Sequence, residues 1–165
     1  LEQIVRQGAE YWSEAEPQKL EKMLRRQLGG LGVPSHELSL ALERIREAID
    51  RTLASQRGQW ILRAHTEGAC ELELSGQIGG QVIHAVIDRT FIDSTGVRWV
   101  IDYKTSVPKT AESQPAFVQR EMDHYRTQLE GYSKLLSALE PQREIRSALY
   151  FPLIDHFVEV PDEIS

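Results

Sequence analysis

The sequence contains a single cysteine, Cys70, among its 165 residues. One thiol excludes an internal disulfide and any metal cluster built from several cysteines, and it gives no sign of secretion. Long apolar runs are also missing, so we expect no segment to cross a bilayer and predict no membrane partner. The first residues do not form a signal-peptide pattern.

Positive charge is scarce. Lys and Arg together number 19 against 25 Asp and Glu, which gives a formal net charge of −6. A free-standing nucleic-acid binder usually carries a basic face, so this balance argues against that class. The phosphate-cradling pattern Gly-x-x-x-x-Gly-Lys-Ser/Thr is also absent from the sequence, and we expect no ATP site in this chain.

What the chain does have is the length and composition of an ordinary globular domain. We predict a single domain over residues 1–165, with a helical part at 1–56 and a catalytic sheet and helix at 57–165. The chain starts at Leu1 in a helical pattern that has no cap before it. We therefore expect it to be an N-terminally truncated piece of a longer protein.

Apolar residues recur at helical spacing in the first third of the chain. The pattern predicts helices over residues 1–12, 17–28 and 35–54. Gly29 and Gly30 are expected to end the second helix through a positive φ, and Ser35 is expected to cap the third.

The remaining sequence combines strand patterns with one long helical pattern, so we predict an α+β fold: a mixed sheet flanked by helices. The long helix lies between the fourth and fifth strands, a connection that allows these two strands to run parallel. The predicted strands cover residues 59–64, 70–76, 80–92, 97–104, 147–151 and 156–160, and the helix covers 115–139.

The third and fourth strands are expected to form a hairpin around the loop Ser94–Gly96. A loop of three residues places its glycine in the left-handed region and sets Asp93 opposite Val97. Counting away from that pair places Asp88 opposite Asp102.

Two acids that face each other across a hairpin are unfavourable unless something uses them. Lys104 follows Asp102 by two residues and so lies on the same face. One interpretation is a solvated face on which Lys104 neutralises the acids. The other is a site whose oxygen ligands bind Mg²⁺ or Mn²⁺. Apolar neighbours such as Val86 and Trp99 favour the site, because they suggest strands that are buried on both faces.

Three motifs occur in order: Val86-Ile87-Asp88-Arg89-Thr90, Val100-Ile101-Asp102-Tyr103-Lys104-Thr105-Ser106 and Gln128-Leu129-Glu130-Gly131-Tyr132. Together they resemble the RecB/AddA branch of the PD-(D/E)XK nucleases, the nuclease domain at the C-terminus of bacterial UvrD-like helicase–nucleases. Tyr125 and residues 149–152 also look like that family, and so does Glu71, which stands where members often carry a glutamate. The resemblance covers residues 71–153 well and the N-terminal helices loosely.

The resemblance implies a restriction-endonuclease-like fold with a metal-dependent site. Asp88 and Asp102 would hold a divalent cation, Mg²⁺ or alternatively Mn²⁺, and the backbone carbonyl of Tyr103 would add a ligand. Lys104 would orient or help to deprotonate the attacking water, or stabilise charge on the phosphate.

Supporting, DNA-positioning roles are implied for Glu71, Gln128 and Tyr132. From the residues alone, Tyr132 is better explained as a core aromatic. Gln128 stands among apolar neighbours, and a buried amide needs hydrogen-bonding partners.

The family carries a metal-binding histidine on its first helix, a few residues before a Leu-Glu pair, and this chain begins with Leu1-Glu2. We expect that histidine to lie just upstream. None of the five histidines in the sequence stands at the corresponding place. His36 follows a Pro-Ser pair and is expected at the surface, and His84, which shares strand parity with Asp88, is expected to be structural.

The implied activity is that of a metal-dependent DNA nuclease domain, mainly exonucleolytic on DNA ends and single strands. It would belong to an ATP-dependent helicase–nuclease that acts in recombinational double-strand-break repair in the bacterial cytoplasm. The implied partners are DNA, a helicase motor upstream in the same chain and a partner subunit. Two alternatives stay open: a stand-alone nuclease of this fold, and an inactive nuclease-fold module that binds DNA ends or a partner.

Overall fold

The structure, a computed structural model, describes residues 1–14 and 17–161. None of the helices in these two ranges is both long enough and apolar enough to cross a bilayer. The helices are α1 (Glu2–Gln7), α2 (Ala9–Glu14), α3 (Pro17–Gly30), α4 (Leu38–Ala54), α5 (Gln56–Leu62) and α6 (Gln114–Leu139). The strands are β1 (Thr66–Ile78), β2 (Gln81–Ile92), β3 (Arg98–Tyr103), β4 (Ile145–Phe151) and β5 (His156–Val160).

The chain divides into two compact units, a helical one and one that contains the sheet. The helical unit consists mainly of residues 3–63 together with 152–155, and the sheet unit mainly of residues 64–151 together with β5. The helical unit has its own apolar cluster, formed by Ile4, Trp12, Leu24, Leu28, Leu42, Ile49 and Leu62.

The helical unit departs from the predicted boundaries at three points. The single helix predicted over residues 1–12 is two helices, because Gly8 adopts a φ of 90° between α1 and α2. Gly29 and Gly30 belong to α3, and the positive φ falls on Gly32. The cap of α4 is Glu37 rather than Ser35, since the N–H of Glu37 donates to the Pro34 carbonyl in a turn that precedes the helix.

The first predicted strand, residues 59–64, is wrong, because most of this segment belongs to α5. Ser55 caps α5, and its Oγ atom accepts a 2.9 Å hydrogen bond from the N–H of Gly58. Gly58, Ile61 and Leu62 are the buried residues of the helix, at helical rather than alternating spacing. A Cβ atom on Gly58 would lie 2.1 Å from the Thr52 carbonyl oxygen, so the glycine permits the close approach of α5 to α4.

The sheet has the order β1-β2-β3-β4-β5. All neighbouring pairs are antiparallel except β3 and β4, which are parallel and are connected through α6. This arrangement confirms the predicted α+β fold with a mixed sheet flanked by helices. Helix α6 packs on the sheet through Phe117, whose ring meets Phe151 edge-on at 5.0 Å, and through Ser133, whose hydroxyl lies 2.7 Å from that of Ser147.

The first half of β2 pairs with β1 alone, because the ladder between β2 and β3 runs only from Ile92–Arg98 to Arg89–Ile101. Val86 precedes that ladder and is 50% exposed. The expectation that Val86 marks a strand buried on both faces is therefore wrong at this residue. Ile87, on the other side of β2, is fully buried.

Candidate active site

The loop between β2 and β3 has the predicted geometry. The N–H of Asp93 donates to the Val97 carbonyl at 3.0 Å, and Gly96 has a φ of 90°. The Asp93 carboxylate accepts hydrogen bonds from the backbone of Thr95 and from the indole N–H of Trp99. Partial burial raises the pKa of Asp93, but these hydrogen bonds outweigh it and lower the pKa to about 2.

This loop sets the register that brings Asp88 and Asp102 together. The ladder continues unshifted to Arg89–Ile101, one pair before the two acids. Because Asp93 and Val97 form a hydrogen-bonded pair, alternate pairs follow it, and Asp88–Asp102 occupies a non-hydrogen-bonded position, where side chains lie closest. Like charges at such a position repel each other.

At the acids, β2 and β3 separate. A continued ladder would pair Tyr103 with Ile87. Instead, the N–H of Tyr103 donates to Oδ2 of Asp88 at 2.8 Å. The aspartate side chain therefore replaces the strand partner of Tyr103, and the ladder between β2 and β3 ends there.

Asp102 and Lys104 form an ion pair on this face. Nζ of Lys104 lies 2.5 Å from Oδ2 of Asp102. The Lys104 side chain is 16% exposed and the Asp102 side chain 4%. Burial raises the pKa of Asp102, the nearby ammonium of Lys104 lowers it, and the charge of Asp88 raises it further, so that the pKa is raised overall. The lysine thus stabilises a carboxylate that both its burial and its neighbour disfavour.

Helix α6 covers the ion pair with polar and aromatic side chains. The amide nitrogen of Gln128 lies 3.5 Å from Oδ1 of Asp102 and 2.5 Å from the hydroxyl of Tyr132. Gln128 is exposed, so the expectation of a buried amide, drawn from its apolar neighbours in the sequence, is wrong. Tyr132 is buried, as expected for a core aromatic, and burial raises its pKa, with further contributions from the charges of Asp102 and Asp88. The hydroxyl of this core residue is therefore linked to Asp102 through the Gln128 amide.

Two further residues of α6 take part in the site. Nζ of Lys104 lies 3.7 Å from the ring centroid of Tyr125, and the buried carboxylate of Glu121 accepts a 2.6 Å hydrogen bond from Ser106. The sequence pointed to Tyr125 without a contact partner and gave no prediction for Glu121. The signal was available, because residues 121, 125, 128 and 132 follow helical spacing along one face.

Glu71 lies on β1 at the register position opposite Asp88, between the pairs Cys70–Arg89 and Leu72–Ile87. Its φ is 50° and its side chain is exposed. The register therefore aligns Glu71, Asp88 and Asp102 across three neighbouring strands. A supporting role for Glu71 stays a prediction.

The two histidines for which the sequence suggested a place, His36 and His84, are both exposed. Nδ1 of His84 lies 2.8 Å from the hydroxyl of Ser75 on β1, and the His84 side chain is exposed. His36 is exposed as expected. Across residues 1–14 and 17–161, no three His, Cys, Asp or Glu side chains gather into a group that could hold a metal ion.

A comparison with protein families identifies the fold. The model that describes the PD-(D/E)XK nuclease superfamily matches residues 1–163. The chain belongs to this superfamily. The match includes the N-terminal helices, which the sequence resemblance covered only loosely. No curated protein matches the chain.

PD-(D/E)XK nucleases generally use divalent metal ions. The donor set fits a hard cation of this kind, because Asp88 and Asp102 offer carboxylate oxygens and a cation would relieve the repulsion between them. The N–H of Tyr103 points toward Asp88, and the carbonyl of a strand residue points to the same edge as its N–H. By this rule the Tyr103 carbonyl would face the same edge of β3 as Asp88.

Proposed function

We propose that this PD-(D/E)XK domain is a metal-dependent DNA nuclease that hydrolyses phosphodiester bonds, mainly exonucleolytically on DNA ends and single strands. The observation that supports the proposal is the ion pair of Lys104 with buried Asp102, next to Tyr103, whose N–H donates to the Asp88 carboxylate. A solvated surface is the competing explanation of these charges. It is disfavoured because the Asp102 side chain is 4% exposed.

The chemistry follows from the charges. A bound Mg²⁺ or Mn²⁺ offsets the negative charge of the phosphate and lowers the pKa of water. Asp88, Asp102 and the carbonyl of Tyr103 are the groups that would hold it. Lys104 presents an ammonium beside them, suited to orient the attacking water or to stabilise charge that grows on the phosphate.

The α6 side chains limit where these groups can move. The Gln128 amide donates a long 3.5 Å hydrogen bond to Asp102 and also contacts the Tyr132 hydroxyl, so α6 can help to orient the carboxylate. A fixed carboxylate and ammonium lower the reorganisation that the reaction requires.

We also propose which branch of the superfamily the chain belongs to and what kind of protein it comes from. The three sequence motifs support a place in the RecB/AddA branch, and by that resemblance the parent protein is an ATP-dependent helicase–nuclease of recombinational double-strand-break repair. The helicase motor would lie upstream in the same chain and a partner subunit would complete the complex, in the bacterial cytoplasm. An open reading frame without an upstream ATPase would favour the stand-alone nuclease instead.

Cleavage assays test the activity. Linear single-stranded DNA, linear duplex and closed circular duplex are incubated with the chain in Mg²⁺, in Mn²⁺ and in chelator. We expect loss of the linear substrates only with metal, and no cleavage by Asp102→Ala or Lys104→Ala. Lys134→Ala, which removes an exposed lysine of α6, is the matched control and should cleave normally.

The second candidate function is a nuclease-fold module that binds DNA ends or a partner without cutting. It is favoured by one observation, that the described residues gather two acids rather than three potential ligands at the site. Binding of end-labelled DNA without cleavage in either metal, by a chain that also leaves the substrate intact at high protein concentration, would support this candidate and contradict the nuclease.

A further inference from the structure

The ammonium of Lys104 lies between a carboxylate and an aromatic ring. The Asp102 carboxylate lies 2.5 Å from Nζ, and the Tyr125 ring lies 3.7 Å from it, centroid to nitrogen. A cation within about 6 Å of an aromatic centroid is attracted by the ring face, most strongly when it is shielded from water. The Lys104 side chain is 16% exposed, so the contact is largely shielded.

The contact belongs to a series along α6. Glu121 meets Ser106, Tyr125 meets Lys104, and Gln128 meets Asp102, so the helix and the end of β3 run in opposite directions. Two residues of extended chain span about 6.6 Å, and helical steps of three or four residues advance about 4.5–6 Å. The two spacings are similar enough for each of these three residues of α6 to meet a different residue of the other segment.

The Glu121 end of the series makes further polar contacts. Arg120 contacts the Glu121 carboxylate and donates to both oxygens of Glu112, at 2.9 and 3.1 Å. This network ties the loop after Lys104 to the first turns of α6. Tyr125 lies one helical turn beyond Glu121, on the same face of α6.

If the proposed function holds, the Asp102 carboxylate alone would not keep the ammonium of Lys104 in place. The same carboxylate would then bind a divalent cation, whose charge repels an ammonium. The ring of Tyr125 attracts the ammonium through its π face and has no part in holding a metal. It can therefore keep Lys104 in place when Asp102 is engaged.

We propose that Tyr125 is a positioning residue whose ring holds the ammonium of Lys104 beside Asp102, so that turnover in the proposed nuclease depends on an aromatic ring at position 125. The inference rests on the proposed function. It assigns no contact with substrate to Tyr125, which acts through Lys104.

Lysine acylation in chelator tests the contact without metal or DNA. The chain is treated briefly with acetic anhydride, and the modification of Lys104 is compared with that of exposed Lys109 by peptide mass spectrometry. We expect Tyr125→Leu to raise the relative rate at Lys104 several-fold and Tyr125→Phe to leave it close to that of the unaltered chain. Thr127→Leu, at an exposed position of α6, is the matched control. Equal rates in Tyr125→Leu and the unaltered chain would overturn the proposal.

Cleavage kinetics test the consequence. Tyr125→Leu should lower kcat about tenfold, which corresponds to about 1.4 kcal/mol, and leave KM within about twofold. Tyr125→Phe should retain most of kcat, because the ring is kept; an equal loss in both variants contradicts the proposal. Tyr125→Met replaces Tyr125→Leu if circular dichroism shows that the latter is unfolded. If the unaltered chain cuts no DNA, the proposed function fails, and the acylation rates still decide whether the ring holds the ammonium.

Discussion

Oδ2 of Asp88 accepts a hydrogen bond from the backbone N–H of Tyr103 where β2 and β3 separate. Asp88 is therefore a structural acceptor as well as a proposed metal ligand. An amide oxygen can accept the same hydrogen bond without the charge, whereas a methyl group cannot. The two substitutions separate the structural role of the side chain from its charge.

We predict that Asp88→Asn is as stable as the unaltered chain or slightly more stable, because it keeps the acceptor and removes the repulsion with Asp102. Asp88→Ala should lose about 1 kcal/mol, because the Tyr103 N–H is left without its partner. Urea denaturation measures both values, and DNA cleavage should be absent from both variants. Equal destabilisation by Asn and Ala would contradict this reading of the contact.

Asp102 differs from Asp88 because it is paired with a shielded lysine. Asp102→Asn should change the free energy of unfolding by less than about 1 kcal/mol, because the relief of the burial penalty and of the repulsion with Asp88 offsets the lost counter-charge of Lys104. Combining it with Lys104→Met should cost less than the sum of the two single variants, and urea denaturation of all four proteins gives the coupling. Additive losses would mean that the ion pair contributes nothing.

Gln128→Leu should lower kcat about tenfold while the free energy of unfolding changes by less than about 1 kcal/mol, because the amide orients Asp102 and carries little of the packing. Steady-state cleavage of single-stranded DNA provides the measurement. Gln119→Leu, on the same helix with its amide on exposed Asp123, is the control. A Gln128→Leu protein with unaltered kcat would remove this residue from the site.

The sequence was sufficient to predict the hairpin and the residues that it brings together, because a three-residue loop with a left-handed glycine permits a single register. From Asp93 and Val97 the positions of Asp88 and Asp102 follow by counting. The separation of β2 from β3 at Asp88 could not be counted, since it depends on a side chain that replaces a backbone partner.

The contacts between α6 and the site could be predicted only in part from the sequence. Helical spacing places Tyr125, Gln128 and Tyr132 on one face, but no local pattern says which strand residues that face meets. The error at residues 59–64 has a different origin. A short apolar run does not distinguish a strand from a buried helix, and the deciding contact of Gly58 lies with Thr52, on another helix.

Gly58→Ala tests that helical contact. A Cβ atom there would lie 2.1 Å from the backbone oxygen of Thr52, and we expect a loss of about 2–3 kcal/mol in the free energy of unfolding. Gly131→Ala in α6 meets nothing within 4 Å and should instead stabilise by about 0.5–1 kcal/mol, because alanine favours helix. Chemical denaturation distinguishes the two, and a neutral Gly58→Ala would show that α5 does not press against α4.

The carboxylate of Asp93 should make the hairpin sensitive to acid. Its pKa is about 2 in the folded chain against an ordinary value of 3.8, so it contributes stability above pH 4 that is lost as the pH falls toward 2. Asp93→Asn removes the acceptor for the Trp99 indole, and we expect a loss of about 1 kcal/mol at pH 7, discounted for solvent screening. Denaturation curves from pH 7 to pH 2 should show this difference shrinking below pH 4. A difference that stays constant over the range would mean that the charge of Asp93 does not hold the loop.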